Sequence, residues 1–195
     1  QDGCKDSTED TDDDGDGIGD VIDICTGLSF KQQWSSNSAN DHDSDGCHDL
    51  EEDSDDDNDG VYDDDDDCQR GWHNWTSNVL SDYDGDGCAD DGEDSDDDND
   101  GVDDDNDHCP TGELNWMSDT SNDLDGDGCI DASEDTDDDN DGVPDSNDLC
   151  TPGPNGWKLG WTSIPETDHD GDGCLDYFED LDDDNDGVED DYPDN

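Results

Sequence analysis

The sequence predicts a chain of tandem repeats with little helix or strand, forming an elongated, disulfide-stapled rod without a conventional hydrophobic core. Three observations lead to this expectation. The 195 residues carry 70 acidic side chains against 4 basic ones, a formal net charge of -66. Only 23% of the residues are hydrophobic, too few to offset the entropy lost on ordering a compact domain. An aspartate-rich pattern recurs along the chain together with nine cysteines, which argues against a disordered acidic tail.

The first recurring element is a twelve-residue stretch with an aspartate at every second position of its first half. Its pattern is Asp-x-Asp-x-Asp-Gly-apolar-x-Asp-x-x-Asp, and copies start at residues 12, 55, 96, 137 and 182; we call it the DNDGV-type loop. Alternate carboxylates can converge on one hard cation, while the glycine allows a sharp turn and the next residue offers its carbonyl oxygen. The pattern therefore predicts calcium loops, the last of them weakened because Pro193 stands where the closing acid belongs. The expected ligands are Asp12, Asp14, Asp16, Ile18, Asp20, Asp23, Asp55, Asp57, Asp59, Val61, Asp63, Asp66, Asp96, Asp98, Asp100, Val102, Asp104, Asp107, Asp137, Asp139, Asp141, Val143, Asp145, Asp148, Asp182, Asp184, Asp186, Val188 and Asp190.

A second loop precedes each of the last four DNDGV-type loops and carries a cysteine directly after its glycine. These cysteine-bearing loops start at residues 41, 82, 123 and 168, always 14 residues before their partners, and each closes on a glutamate. The constant offset predicts that paired loops share one geometry, and each repeat is expected to hold about two or more calcium ions. The expected ligands are Asp41, Asp43, Asp45, Cys47, Asp49, Glu52, Asp82, Asp84, Asp86, Cys88, Asp90, Glu93, Asp123, Asp125, Asp127, Cys129, Asp131, Glu134, Asp168, Asp170, Asp172, Cys174, Asp176 and Glu179. One further aspartate between the two loops of each pair can bridge neighbouring ions, namely Asp53, Asp94, Asp135 or Asp180.

One repeat therefore consists of a cysteine-bearing loop, a DNDGV-type loop, a second cysteine and a variable segment. No helical or strand periodicity is sustained, so little regular secondary structure is expected. The variable segments hold all six tryptophans, which are expected to pack on the loops. The alternative is a stacking surface for sugars at Trp72 and Trp75 or at Trp157 and Trp161. The predicted boundaries are 1–40 for a truncated first repeat, 41–81, 82–122 and 123–167 for full repeats, and 168–195 for a truncated last repeat.

Cysteines at near-regular spacing indicate a disulfide framework and an oxidising, extracellular location. Two registers pair neighbours. One joins residues 4 and 25, 47 and 68, 88 and 109, and 129 and 150 across the calcium loops. The other encloses the variable segments and leaves Cys4 unpaired or bonded to another chain; it joins Cys25 to Cys47, Cys68 to Cys88, Cys109 to Cys129 and Cys150 to Cys174. We favour the second, because segments fixed by calcium gain little from a crosslink, whereas variable segments need their ends held together.

Outside the variable segments, the chain resembles thrombospondin type 3 repeats. The resemblance lies in the Asp-x-Asp-x-Asp-Gly loops, and the stretch Asn106-Asp107-His108-Cys109-Pro110 is similar to the family's Asp-Asn-Cys-Pro. It implies a coreless fold wrapped around calcium ions, an exterior location, and a forward bond from a cysteine such as Cys109. Two features depart from the family: a cysteine follows the glycine of a calcium loop, and tryptophan segments replace a short Asn-Pro-Asp-Gln linker.

Charge and the missing core also bear on function. So negative a surface suits neither nucleic acid nor anionic membranes, and no run is apolar enough to insert into a bilayer. Without a core there is no cleft that sets two carboxylates in different environments, so an enzyme is not expected. We expect a secreted or cell-surface structural protein, a rod, stalk or filament subunit that self-assembles head to tail. The alternative is a calcium-dependent adhesin whose tryptophan loops bind glycans. Asn74 lies in the sole N-x-S/T sequon and is expected to be glycosylated.

Overall fold

The computed structural model describes residues 10–26, 34–150 and 160–190, and none of these lies in an α-helix or a β-strand. The chain follows a succession of turns and bends instead. The predicted irregular fold with little helix or strand is thereby confirmed. Across these same residues, no helix is long and apolar enough to cross a membrane. Cys4, Trp157 and Pro193, on which three of the expectations depend, fall outside them.

The chain divides into two compact units, Gln1–Ser95 and Asp96–Asn195. The first contains the DNDGV-type loops at 12 and 55 and the cysteine-bearing loops at 41 and 82. The second contains the DNDGV-type loops at 96, 137 and 182 and the cysteine-bearing loops at 123 and 168. Each unit is therefore built from the same two loop types.

The interior of both units consists of carboxylates rather than apolar side chains. Among the described residues, six apolar side chains are buried, four of them half-cystines, together with Ala89 and Leu175. Eighteen polar side chains are buried, and every one of them is an aspartate. The nine side chains with less than 2% exposure are also all aspartates. A fold without a conventional hydrophobic core is thus what this sequence forms.

Each loop makes two left-handed backbone turns, at its fourth and sixth residues. In all nine loops these residues have φ between 52° and 104°. Glycine adopts this region without steric cost, and asparagine tolerates it better than most other residues. The sixth residue is always glycine. The fourth is glycine or serine in the loop at 12 and the cysteine-bearing loops, and asparagine in the others: Asn58, Asn99, Asn140 and Asn185.

Four disulfides close the variable segments. They join Cys25 to Cys47, Cys68 to Cys88, Cys109 to Cys129 and Cys150 to Cys174, which are the pairs of the second register. The bonded cysteines lie 22, 20, 20 and 24 residues apart in sequence. Their Cα atoms nevertheless stand 5.1–5.3 Å apart in every case, so the segment ends are held alike whatever the length between them.

The same polar contacts flank each disulfide. At the Cys68 junction, the backbone N–H of Asp67 donates to the carbonyl of Asp86 at 2.8 Å. Oδ1 of Asp66 accepts the N–H of Cys68 at 2.6 Å and lies so close to Gly87 that a Cβ there would overlap it. Only glycine fits this position. Equivalent close approaches occur at Gly46, Gly128 and Gly173.

Candidate metal centres

All nine loops predicted from the sequence close through the same two hydrogen bonds. The carboxylate of the ninth residue accepts the backbone N–H of the second at 2.7–3.0 Å. The carboxylate of the fifth residue accepts the N–H of the seventh, also at 2.7–3.0 Å. Two of the predicted ligand positions therefore shape the loop itself. The ninth residues are Asp20, Asp49, Asp63, Asp90, Asp104, Asp131, Asp145, Asp176 and Asp190.

The first, third and fifth carboxylates converge inside the loop. In the loop at 55, one oxygen each of Asp55, Asp57 and Asp59 lies within 4.8 Å of the other two. Such a group of oxygens can hold a metal ion. The same spacing applies in two further loops, to Asp12, Asp14 and Asp16 and to Asp41, Asp43 and Asp45.

Buried carboxylate oxygens without a partner recur in the DNDGV-type loops. In the loop at 55, the third, fifth and twelfth residues, Asp57, Asp59 and Asp66, are buried. Asp57 is satisfied, because its Oδ2 accepts the N–H of Gly71 at 2.8 Å and its Oδ1 that of Asp59 at 3.2 Å. Oδ2 of Asp59 and Oδ2 of Asp66 are buried and have no hydrogen-bond partner.

The unpartnered oxygens recur at the same two loop positions elsewhere. Leaving a buried charged oxygen unpaired is costly, and two in one loop also repel each other. A cation between them removes both costs, and carboxylate and carbonyl oxygens are what a hard metal ion binds. The residues present therefore fit a metal ion. The further unpartnered atoms are Oδ2 of Asp16, Asp23, Asp100, Asp107 and Asp141.

These carboxyls have raised pKa values. Burial raises the pKa of Asp66 to about 7; the N–H of Cys68 opposes this, and the charges of Asp57 and Asp59 add to it. Burial also raises the pKa of Asp59 to about 6. Without a cation, burial thus makes the charged form of these carboxyls harder to reach than in water. Burial is likewise the main cause of a pKa of about 6 at Asp23, Asp100, Asp107 and Asp141 and of about 7 at Asp139.

The first aspartate of a cysteine-bearing loop is satisfied by the protein itself. Oδ1 of Asp82 accepts the N–H groups of Gly85 at 2.7 Å and Asp86 at 3.1 Å. Its Oδ2 accepts the N–H of Gly87 at 3.2 Å and the hydroxyl of Ser77. Asp123 and Asp168 are bonded in the same way.

At Asp168 those hydrogen bonds change the pKa of the carboxyl. Burial by itself raises the pKa of Asp168, but the hydroxyl of Ser163 and three backbone N–H groups outweigh it and lower the pKa below the ordinary value. The anion is therefore stabilised at this position without any cation.

An asparagine side chain supplies further donors within each of three loop pairs. Nδ2 of Asn58 donates to Oδ2 of Asp45 at 2.9 Å and also to Asp43. The fifth carboxylate of a cysteine-bearing loop thus receives a protein donor at the oxygen that stays unpartnered in a DNDGV-type loop. The corresponding bonds run from Asn140 to Asp125 and Asp127, and from Asn185 to Asp172.

Sequence analysis missed a serine in each variable segment. The N–H of Ser77 donates to the carbonyl of Asp59 at 2.8 Å, and its hydroxyl donates to Asp82. Ser77 therefore ties a DNDGV-type loop to the next cysteine-bearing loop. A recurring Trp-x-Ser, with the serine five residues before the first aspartate of the next loop, is the signal that identifies these residues: Ser36, Ser77, Ser118 and Ser163.

The closing glutamates lie beside the preceding DNDGV-type loop. A Cβ on Gly71 would stand 2.9 Å from Oε1 of Glu93, 2.9 Å from the carbonyl oxygen of Cys68 and 3.1 Å from Oδ2 of Asp57. The sequence assigns Glu93 to its own loop, yet its carboxylate reaches the loop at 55, and its Oε2 is buried without a hydrogen-bond partner. Around Gly112 the same three kinds of oxygen stand at 3.0 Å, from Asp98, Cys109 and Glu134.

The remaining predicted positions are more open. In the last loop, Asp184 and Asp186 are exposed, whereas their counterparts in the loop at 55 are buried. Asn74 is exposed, as its predicted glycosylation requires. Trp72 exposes 51% of its surface, while Trp75 is partly buried.

No protein-family model matches the chain, and no curated protein matches it. The resemblance to thrombospondin type 3 repeats therefore gains no support from a family model.

Proposed function

We propose that the chain is an extracellular structural repeat protein whose loops bind calcium in place of forming a hydrophobic core. The observation that carries the proposal is the repeated pair of buried, unpartnered oxygens at the fifth and twelfth loop residues, as in Asp59 and Asp66. No hydrogen-bond donor of the protein reaches them, so a cation is the missing partner.

Ligand chemistry favours calcium over other metals. The candidate ligands are carboxylate and carbonyl oxygens, which suit calcium and magnesium rather than zinc or copper. Calcium accepts six to eight oxygens in flexible geometry, as irregular loops provide, whereas magnesium demands a near-ideal octahedron. The four disulfides support an oxidising, extracellular setting.

Calcium would couple binding to folding. Bound in a loop, it neutralises converging carboxylates that otherwise repel one another at a formal net charge of -66. The protein fixes these carboxylates through the ninth-residue and seventh-residue hydrogen bonds, the two left-handed turns and the serine ties. Because the sites do not exist in the unfolded chain, their binding free energy adds to the free energy of unfolding.

Calcium removal tests this function. Disulfide-intact protein should resist a protease in calcium and be cut rapidly after a chelator is added, and magnesium should restore resistance far less well than calcium. Unchanged resistance in the chelator would contradict the proposal. Asp100→Asn should shift the calcium requirement upward, whereas Asp105→Asn, which alters an exposed aspartate outside the predicted ligand set, should not.

The biological role we propose is that of a rod, stalk or filament subunit that assembles head to tail. Tandem repetition of one loop pair, with no cleft-forming core, supports a spacer rather than a catalyst. Negative-stain images in millimolar calcium should show filaments. If only isolated rods are seen under all conditions, the filament role is excluded and the role as a spacer stands.

One observation favours a second candidate, a calcium-dependent adhesin. Trp72 presents a half-exposed indole next to the exposed residues 73 and 74, and aromatic rings stack on sugars. On a glycan array, Trp72→Ala should then abolish binding, while Trp116→Phe, at a partly buried position, should preserve it. Absence of glycan binding by the unaltered protein would exclude this role.

A further inference from the structure

Arg70 places its guanidinium between the two loops of the first pair. Its Nη2 lies 2.8 Å from Oδ2 of Asp49, and its Nε lies 2.9 Å from Oδ2 of Asp56. Both aspartates are only 6% exposed. In the described residues, 10–26, 34–150 and 160–190, Arg70 is the sole lysine or arginine. The one basic side chain within these ranges therefore lies between buried carboxylates.

Asp53 completes a cluster with these two aspartates, which we call the interloop cluster. One oxygen each of Asp49, Asp53 and Asp56 lies within 4.8 Å of the other two. Oδ1 of Asp53 is bonded to the N–H groups of residues 54 and 55, but its Oδ2 is buried without a hydrogen-bond partner. Oδ1 of Asp56, on a side chain that is more than nine-tenths buried, also lacks one. Even with Arg70 present, the cluster retains unsatisfied anionic oxygens.

The second unit has aspartates at the same three positions and no arginine. Asp131, Asp135 and Asp138 occupy the corresponding positions of the pair at 123 and 137. Oδ1 of Asp135 accepts the N–H groups of residues 136 and 137 at 2.6 and 2.9 Å, as Oδ1 of Asp53 does from residues 54 and 55. Oδ2 of Asp135 and Oδ1 of Asp138 are buried with no hydrogen-bond partner. Arg70 stands two residues after Cys68, and the residue two after Cys150 is a proline, Pro152.

The last pair repeats this arrangement in Asp176, Asp180 and Asp183. Oδ1 of Asp180 accepts the N–H of residue 182 at 2.9 Å, as Oδ1 of Asp53 does from residue 55. Asp180 is 9% exposed, and its Oδ2 is buried without a hydrogen-bond partner. Three interloop clusters thus present the same oxygens, and one of them already holds a positive group of the chain.

We propose that the interloop clusters at Asp131, Asp135 and Asp138 and at Asp176, Asp180 and Asp183 each bind a divalent cation, whose place Arg70 takes in the first cluster. Two carboxylates from neighbouring loops and one from the residue between them form an all-oxygen set for calcium or magnesium. These sites are additional to the loop centres, because the second and third members of each cluster belong to no predicted loop ligand set. Guanidinium carries one charge and fixed donors, so it fills the cluster without neutralising it fully.

Counting bound calcium ions tests the proposal. Intact protein is equilibrated in calcium and weighed by native mass spectrometry, with atomic emission on gel-filtered samples as a second count. Asp138→Asn should bind one ion fewer than the unaltered protein. Arg70→Ala should bind one ion more, because it opens the first cluster, whereas Arg70→Lys should keep the original number.

Two controls separate this proposal from the loop centres. Asp105→Asn removes an exposed charge and should leave the count unchanged. Asp141→Asn removes a ligand of the loop at 137 and reports on the proposed loop function alone. Should Arg70→Ala fail to fold, Asp138→Asn decides the question. If Asp141→Asn loses an ion while Asp138→Asn retains them all, the interloop sites are overturned and the loop function stands.

Discussion

DNDGV-type and cysteine-bearing loops share one sequence pattern but reach different electrostatic states. In a cysteine-bearing loop, Oδ2 of the aspartate at the fifth residue accepts an asparagine N–H, as Asp45 does from Asn58. In a DNDGV-type loop, two buried aspartates, such as Asp100 and Asp107, each keep an oxygen with no partner. At the fifth residue, therefore, the protein supplies a donor in one loop type, and we expect an ion to fill that role in the other. The pattern of aspartates alone does not determine how strongly a loop depends on metal.

Asparagine accounts for part of this difference. Nδ2 of Asn140 donates a hydrogen bond of 3.0 Å to Oδ2 of Asp127, the fifth residue of a cysteine-bearing loop. No such donor faces Oδ2 of Asp141, the fifth residue of Asn140's own loop. The same asparagine thus donates to the neighbouring loop and not to the fifth carboxylate of its own loop. We expect DNDGV-type loops to bind calcium more tightly than their partners.

The largest effect is expected when Asp100→Asn, in a DNDGV-type loop, is compared with Asp127→Asn, in a cysteine-bearing loop, for calcium affinity and for stability without calcium. Asp100→Asn should lower the calcium affinity of its loop by at least about tenfold, because a ligand is lost. It should also stabilise the ion-free protein, since a buried charge without a partner is removed. Asp127→Asn should change both quantities much less. Isothermal titration measures the calcium affinity, and chemical denaturation in the presence of a chelator measures the stability of the ion-free protein. Equal effects of the two substitutions would refute the proposed difference between the loop types.

Acidification should act in opposite directions on the ion-free and the calcium-loaded protein. The pKa is raised to about 7 at Asp66 and to about 6 at Asp59 and Asp107. These carboxyls bind protons more tightly when folded, so the free energy of unfolding of ion-free protein should rise as pH falls from about 7 to 5. Calcium competes with those protons, so its affinity should fall over the same range. Denaturation midpoints at both pH values, with and without calcium, provide the measurement; parallel shifts would contradict it.

A smaller effect is expected at the glycine between a DNDGV-type loop and the closing glutamate of the next loop. In Gly112→Ala the new Cβ would meet three oxygens at 3.0 Å, two of them from the carboxylates of Asp98 and Glu134. We expect the free energy of unfolding in calcium to fall by about 1 to 3 kcal/mol. Gly126→Asn is the control, because nothing lies within 4 Å of its Cβ position and asparagine stands at the same place in other loops. If Gly112→Ala and Gly126→Asn lower the free energy of unfolding equally, the close approach of oxygens to Gly112 has no special role.

The smallest effect is expected at the serine ties. Ser118→Ala removes the hydroxyl that donates to Asp123 and keeps the backbone bond to Asp100. The cost should be about 1 kcal/mol of unfolding free energy. The exposed Thr120→Ala should change stability by less than about 0.5 kcal/mol. Thermal unfolding in calcium compares the two, and an Asp123 that tolerates Ser118→Ala without loss would show that its backbone donors suffice.

Much of the fold followed from residue spacing. The nine loops, the irregular backbone and the interior without an apolar core are all local consequences of aspartate and glycine positions. The disulfide between Cys68 and Cys88 was predicted because the variable segment between them needs its ends held together. Local spacing was sufficient because each loop is closed by bonds between residues nine or fewer positions apart, such as Asp56 to Asp63.

The contacts between loops could not be predicted in the same way. Glu93 was assigned to its own loop, but the path of the variable segment brings Gly71 and Asp57 beside it. Arg70 carried no signal in the sequence, since its two partners are contributed by separate loops. The serine of Trp-x-Ser was visible as a recurrence, yet its role depends on which carboxylate it reaches. Long-range partners of this kind are set by chain path rather than by period.

The disulfide junctions also have a practical consequence. Their cysteines close spans of 20 to 24 residues with the same Cα separation, so segment length is uncoupled from the geometry of the loops on either side. A foreign peptide spliced into the span from Cys150 to Cys174 would start and finish at fixed points. Such a chain offers a scaffold that presents several peptide epitopes, each anchored by its own disulfide.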